Sequence, residues 1–146
     1  IMVDGKRKGM PLKLYTPEPT PFLPKVKNMG TVHYLYEMPL VFRHSKINLN
    51  ITLRSIQNGI PLRAMDIMGA GGFLLTNYQN DFNRHFIDGE DYVSFSSPED
   101  MIQKIAYYLE HEKERNEIAE NGCKKVHSEH TYQKRIYEML KIAGIE

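Results

Sequence analysis

Residues 56–77 read IQNGIPLRAMDIMGAGGFLLTN. An Asn-Gly-Ile-Pro break leads into a short helical pattern, a burst of glycines and a continuous apolar run. Pro61 suits the opening turn of a helix, where its missing N–H costs nothing. Ile60, Ala64, Ile67 and Met68 then fall on one helical face, while Arg63 and Asp66 share another. Gly69, Gly71 and Gly72 stop the helix, and FLLT behind them has the composition of a strand buried on both faces. Upstream, KINLNITL alternates Ile47, Leu49, Ile51 and Leu53 with Asn48, Asn50 and Thr52, the period of two that marks a strand. Strand, helix and strand joined by short links imply parallel pairing through a right-handed crossover. The expected fold is therefore an open α/β sheet with helices on both faces.

The rest of the chain extends this pattern. LKLY is a short strand, and five of the eight prolines (Pro11, Pro17, Pro19, Pro21 and Pro24) then hold the next stretch in an extended loop. TVHYLY, Thr31 to Tyr36, is rich in β-branched and aromatic residues behind Gly30 and reads as a strand; EMPLVFRHS, with Pro39 early, reads as a short helix. YQNDFNRHF is a further short helix, and YVSF is a strand after the turn DGED. In SSPEDMIQKIAYYLEH, Ser97 is the N-cap, Pro98 takes the first helical position and Asp100 adds a carboxylate to the first turn. Two amphipathic helices, roughly Glu112 to Glu129 and Thr131 to Ala143, follow without another strand. No internal repeat is visible.

Composition narrows the function classes. The 146 residues are sized for one domain, 1–146, able to bury about two-thirds of the unfolded chain's surface. Nineteen basic against eighteen acidic side chains leave a net charge of +1, so no single-sign field draws the chain to nucleic acid or anionic lipid. Cys123 is alone and excludes an intrachain disulfide. No apolar run approaches the roughly 18 residues of a membrane span, and IMVDGKRKGM lacks the apolar core of a signal peptide. A cytoplasmic location is expected. Asn50-Ile51-Thr52 matches a glycosylation sequon by chance, inside an apolar stretch.

In open α/β sheets ligands sit beyond the carboxyl ends of the strands, where loops enter helix N-termini that carry free N–H groups and about half a positive charge. The glycines at 69, 71 and 72 follow a helix and precede a strand, which puts them at the opposite edge. They are stop and close-packing glycines. The better ligand position is the start of the same helix. Gly59 lets a diphosphate approach the backbone, the N–H groups around Ile60, Leu62 and Arg63 can bind it, and Asp66 leans back toward hydroxyls of the same ligand. The same residues also admit a plainer description, with Asn58-Gly59 a simple turn and Arg63 with Asp66 an exposed ion pair.

The run SKINLNITLRSIQNGIPLRAMDIMGAGGFLLTNYQNDF, with GEDYVSF and the ending HTYQKRIYEML, resembles the C-terminal region of the spore maturation protein CgeB family, group 1 glycosyltransferases built from two Rossmann-like domains (the GT-B architecture). The resemblance runs from about Leu14 to Leu140. It implies a Rossmann-like donor domain that binds a nucleotide-activated sugar and needs no metal, as part of a longer protein whose N-terminal domain carries the acceptor. Little turnover is expected without that domain. The signature of such enzymes is two glutamates separated by seven residues. Asp66 falls on the second, which would hold the ribose, and Asn58 falls on the first, with Gly59 on the glycine after it. Asn58 can hydrogen-bond sugar hydroxyls but lacks the negative charge for a developing cation. The backbone at Val32, His33 and Tyr34 would lie against the nucleobase. The competing class is a non-catalytic α/β binding or assembly module, of a spore or cell-surface complex, that has lost transfer activity.

Other signals carry less. His127 and His130 have no accompanying ligand set and read as helical surface histidines. Asp88, Glu90 and Asp91 lack the length of a calcium loop, and Tyr107 and Tyr108 read as packing on an amphipathic helix. No acidic pair ends an early strand, so a phosphorylation-receiver domain is not supported.

Overall fold

A computed structural model describes residues 2–3, 12–19, 21, 26–53 and 58–145. Among these, β1 (Met2–Val3), β2 (Leu12–Leu14), β3 (Lys27–Asn28), β4 (Ile47–Asn50), β5 (Leu74–Asn77) and β6 (Val93–Phe95) form one sheet in the order β3-β2-β1-β4-β5-β6. β4, β5 and β6 are parallel, as are β2 and β3, whereas β1 runs antiparallel to both β2 and β4. Every strand but β1 therefore ends at the same edge, and the fold is the expected Rossmann-like α/β sheet with one antiparallel insertion.

Helices cover both faces. On one side α1 (Met38–His44), α2 (Leu62–Gly69) and α3 (Phe82–His85) bring Phe42, Ala64, Ile67, Met68 and Phe82 onto Leu74 and Tyr92. On the other, α4 (Pro98–Glu110) sets Ile105 and Tyr108 on Ile47, Leu49, Phe73, Leu75, Val93 and Phe95. The pleat sends Leu74 to the first layer and Phe73 and Leu75 to the second. α5 (Glu112–Glu129) serves both, giving Ile118 to one cluster and Val126 to the other. Each such apolar side chain, fully buried, contributes about 1.5–3 kcal/mol. α6 (Tyr132–Ile142), by contrast, buries no residue and leaves Tyr132, Ile136, Tyr137, Met139 and Ile142 exposed. No described helix is long and apolar enough to cross a membrane.

Punctuation in the sequence set several boundaries. The Ser97 hydroxyl accepts the Asp100 N–H at 3.1 Å and starts α4, and Thr131 accepts the Lys134 N–H at 3.3 Å and starts α6. The alternating run at 47–53 forms a strand only to Asn50, and Ile47, Asn48 and Leu49 are all buried because β4 is covered on both faces. Asn48 is tolerated there because its amide donates to the carbonyls of Phe42 and Phe73 at 2.9 and 3.3 Å.

The strand expected at Thr31 to Tyr36 does not form. Residues 31–33 are irregular and 34–37 make a turn into α1. The Glu37 carboxylate accepts the His33 N–H at 2.5 Å, and the His33 carbonyl accepts the N–H groups of Glu37 and Met38 at 3.0 Å. β-propensity reflects packing on a pleated surface, and here Tyr34, Leu35 and Tyr36 are exposed. A local hydrogen-bonded turn wins.

The glycines behave as stop and packing residues. Gly71 takes φ +78°, and a β-carbon on Gly72 would stand 2.7 Å from the Asn48 amide nitrogen and 2.8 Å from the Phe42 carbonyl oxygen. Gly72→Ala should therefore overpack this junction and cost about 1–3 kcal/mol, measured as a lower urea midpoint at unchanged m. A midpoint equal to that of the parent would contradict the packing described.

Candidate functional site

β4 leads through residues 54–57, which lie outside the described residues, to Asn58-Gly59 and α2. Gly59 adopts φ +94°, a backbone state that side-chain-bearing residues rarely enter. Pro61 sits one position earlier than expected, at the N-cap, with ψ 130°. Its carbonyl accepts the Ala64 and Met65 N–H groups at 2.9 and 3.4 Å. α2 has no side-chain cap, and among the described residues nothing accepts from the Leu62 or Arg63 amides. These are the orphan donors that make a helix start attractive to anions.

Two carboxylates flank this start. Asp66 Oδ2 accepts the Tyr34 hydroxyl at 2.7 Å, which joins the turn at 34–37 to α2. That hydrogen bond holds the Tyr34 hydroxyl above its ordinary pKa, since ionisation would set a phenolate against the carboxylate. Asp81, at the start of α3, turns Oδ2 onto the Gly59 N–H at 2.5 Å, and its Oδ1 lies 3.3 Å from Arg84. The Gly59 amide, expected to be open to a phosphate, is thus occupied. Sequence reasoning passed over Asp81, although its position just after the carboxyl end of β5 falls under the same ligand-edge rule applied to Gly59.

A cavity of about 930 Å³ runs along α2, and the predicted residues Tyr34, Gly59, Ile60, Leu62 and Asp66 line it. Met38, Pro39 and Phe42 of α1 form one wall. The junction of α5 and α6, with His130, Tyr132 and Arg135, forms another, and Asp81, Arg84 and His85 close the side by α3. Val32, His33, Asn58 and Arg63 lie outside it. Arg63 faces a separate hollow of about 260 Å³ with Tyr15, Asn50 and Ile51, its guanidinium 5.8 Å from the Phe42 ring centroid. The start of α2 thus divides Arg63 from Asp66, and the ion pair considered between them is not formed.

His130 is half-buried at the helix junction, its Nδ1 accepting from Arg135 Nη2 at 2.5 Å and its ring 4.7 Å from that of Phe86. Burial, then the charges of Arg135 and His85, hold it below the ordinary histidine pKa. It is therefore not the surface histidine expected. His127 is exposed, its Nε2 2.9 Å from the Gly69 carbonyl at the end of α2. No group of three His, Cys, Asp or Glu among the described residues is arranged to hold a metal ion.

A model described as glycosyl transferase-like matches residues 3–141. The chain belongs to that glycosyl transferase-like family. Its fold is similar to the C-terminal domain of a glycosyl transferase group 1 family protein, LpcC, from Francisella tularensis, with 20% identity, a TM-score of 0.59 and coverage of 75% of this chain and 55% of that one. The glycosyl transferase-like chain thus spans about half the length of the solved structure it matches. No curated protein matches its sequence significantly.

The histidine at the cavity wall gives a pH signature. Because the folded state holds the His130 pKa below its unfolded value, its neutral form contributes stability that is complete above the unfolded pKa of about 6.5 and is lost as pH falls below it. Lowering the pH from about 7.5 to about 5.5 should lower the thermal midpoint, and His130→Gln should flatten that dependence. An equal slope in both proteins would contradict the assignment.

Proposed function

We propose that this chain is the donor-binding part of a CgeB-like, group 1 glycosyltransferase of GT-B architecture, and that a nucleoside-diphosphate sugar lies in the cavity along α2. One observation carries the proposal. Tyr34 and Asp66, 32 positions apart, are hydrogen-bonded in the wall of a cavity of about 930 Å³ that also contains the uncapped start of α2. That volume lies within the roughly 300–1,000 Å³ of small-molecule sites.

On this reading the diphosphate rests against the amides of Leu62 and Arg63, where the positive end of the helix dipole favours it. The Arg63 side chain, turned to the separate hollow over the Phe42 ring, stays outside the cavity, and no resident metal is required. Asp66 accepts hydrogen bonds from the ribose hydroxyls, sharing the position with the Tyr34 hydroxyl, and the base lies against the segment from Val32 to Tyr34. Asn58 adjoins the sugar. In the transfer step the bond from the sugar's anomeric carbon to the diphosphate breaks and its electron pair leaves on phosphate. An acceptor hydroxyl oxygen bonds to that carbon, and its proton is released. The acceptor is carried by a second, N-terminal domain of the longer protein.

Calorimetric titration of the chain with uridine, guanosine and thymidine diphosphates should find a millimolar or tighter site for at least one of them. Asp66→Ala should weaken it by roughly ten- to a hundredfold, the worth of about 1.5–3 kcal/mol for hydrogen bonds to a charged group. Absence of heat with every nucleotide would favour the non-catalytic module.

A further inference from the structure

Asp81 behaves unlike an ordinary residue at the start of a helix. An aspartate in that position normally turns back to accept N–H groups of its own first turn. α3 has no such side-chain cap, and the carboxylate reaches instead to the N–H of Gly59, 22 positions upstream. Its other oxygen faces Arg84, whose side chain is three-quarters exposed, so water screens that pair. The result is a carboxylate fixed on the Gly59 backbone in the wall of the cavity. Among the residues that line the cavity, Asp66 and Asp81 are the carboxylates, and Asp66 already holds the Tyr34 hydroxyl.

We infer that Asp81 is the sugar-binding residue of this cavity, its carboxylate receiving the hydroxyl groups of the donor's glycosyl ring at the place where Asn58 brings no charge. The inference rests on the donor-binding reading above and adds to it the division of the cavity into a phosphate end and a sugar end. That division follows from charge. A diphosphate on the Gly59 amide would stand within about 4–6 Å of the Asp81 carboxylate, where like charges disfavour each other. The free amides of Leu62 and Arg63 are the alternative. A neutral polyol has the opposite preference, since its hydroxyls donate and an ionised carboxylate only accepts. The same charge faces the positive charge that develops on the ring as the glycosyl bond breaks.

Asp81→Asn tests this without releasing the loop, because the amide oxygen can still accept the Gly59 N–H while the charge is gone. Affinities of the 146-residue chain are measured for the diphosphates UDP, GDP and dTDP and for UDP-glucose, GDP-mannose and dTDP-glucose. The parent should bind one sugar nucleotide more tightly than its own diphosphate. Asp81→Asn should leave the diphosphate within about twofold and remove the sugar's advantage, a loss of roughly tenfold. Equal weakening of both ligands, or an advantage that survives, would overturn the inference, as would a parent that binds sugar nucleotide no better than diphosphate. A parent that binds no diphosphate at all would instead remove the donor reading on which it rests. Should Asp81→Asn fail to fold, Asp81→Ser supplies the second arm: its hydroxyl oxygen can accept an N–H but carries no charge, so the sugar's advantage should again be lost, and its survival would overturn the inference.

Discussion

At Gly72 three chain segments meet with no room for a methyl group. The Asn48 amide of β4 and the carbonyls of Phe42 in α1 and Ile67 in α2 stand 2.7, 2.8 and 3.1 Å from where a β-carbon would be. The Gly72 N–H also donates to the Ile67 carbonyl at 2.9 Å, and the Asn48 amide donates to Phe42. This junction locks the end of α2 to the sheet and to α1. Since a helix of eight residues is a rigid rod of about 12 Å, fixing its end on the sheet also fixes its start. The direction of the Leu62 and Arg63 amides, the reach of Asp66 to Tyr34 and the cavity between α1 and α2 all follow from that seat.

The cavity then sorts charge over a short distance. The chain as a whole is close to neutral, so local placement decides what each part attracts. Asp66 and Asp81 flank the start of α2, Arg63 is drawn aside over the Phe42 ring, and Arg135 and His130 occupy the wall formed by the α5–α6 junction. Burial, then the neighbouring Arg135, hold the His130 pKa below the ordinary histidine value. The proposed donor, anionic at one end and a neutral polyol at the other, draws on this sorting.

The local grammar of the chain was legible where one residue type has one physical use. Ser97-Pro98, the bounds of α5 and the stop at Gly69 to Gly72 were each read from the residues themselves. Asn58-Gly59 marked a real left-handed backbone position. What failed depended on neighbours remote in sequence. The β-formers at Thr31 to Tyr36 found no pleated surface and were captured by the turn around Glu37. Arg63 and Asp66 are three apart on one helix, yet the rim of α2 sends them to different hollows, and a cation–π contact of about 0.5–1 kcal/mol at an exposed site is enough to hold Arg63 away. Asp81 escaped notice because nothing in QNDFNRH announces that its carboxylate serves a glycine 22 residues earlier. The antiparallel insertion of the two-residue β1 carried no periodic signal at all.

On the proposed donor reading a polyanion rests on the first turn of α2, and backbone amide chemical shifts register such contact. In a titration of the labelled chain with the nucleoside diphosphate that binds best, the largest shift changes are expected at the Leu62 and Arg63 amides, with smaller changes at Tyr34 and Asp66. Perturbations confined to other elements, with Leu62 and Arg63 unmoved at saturation, would rule that placement out.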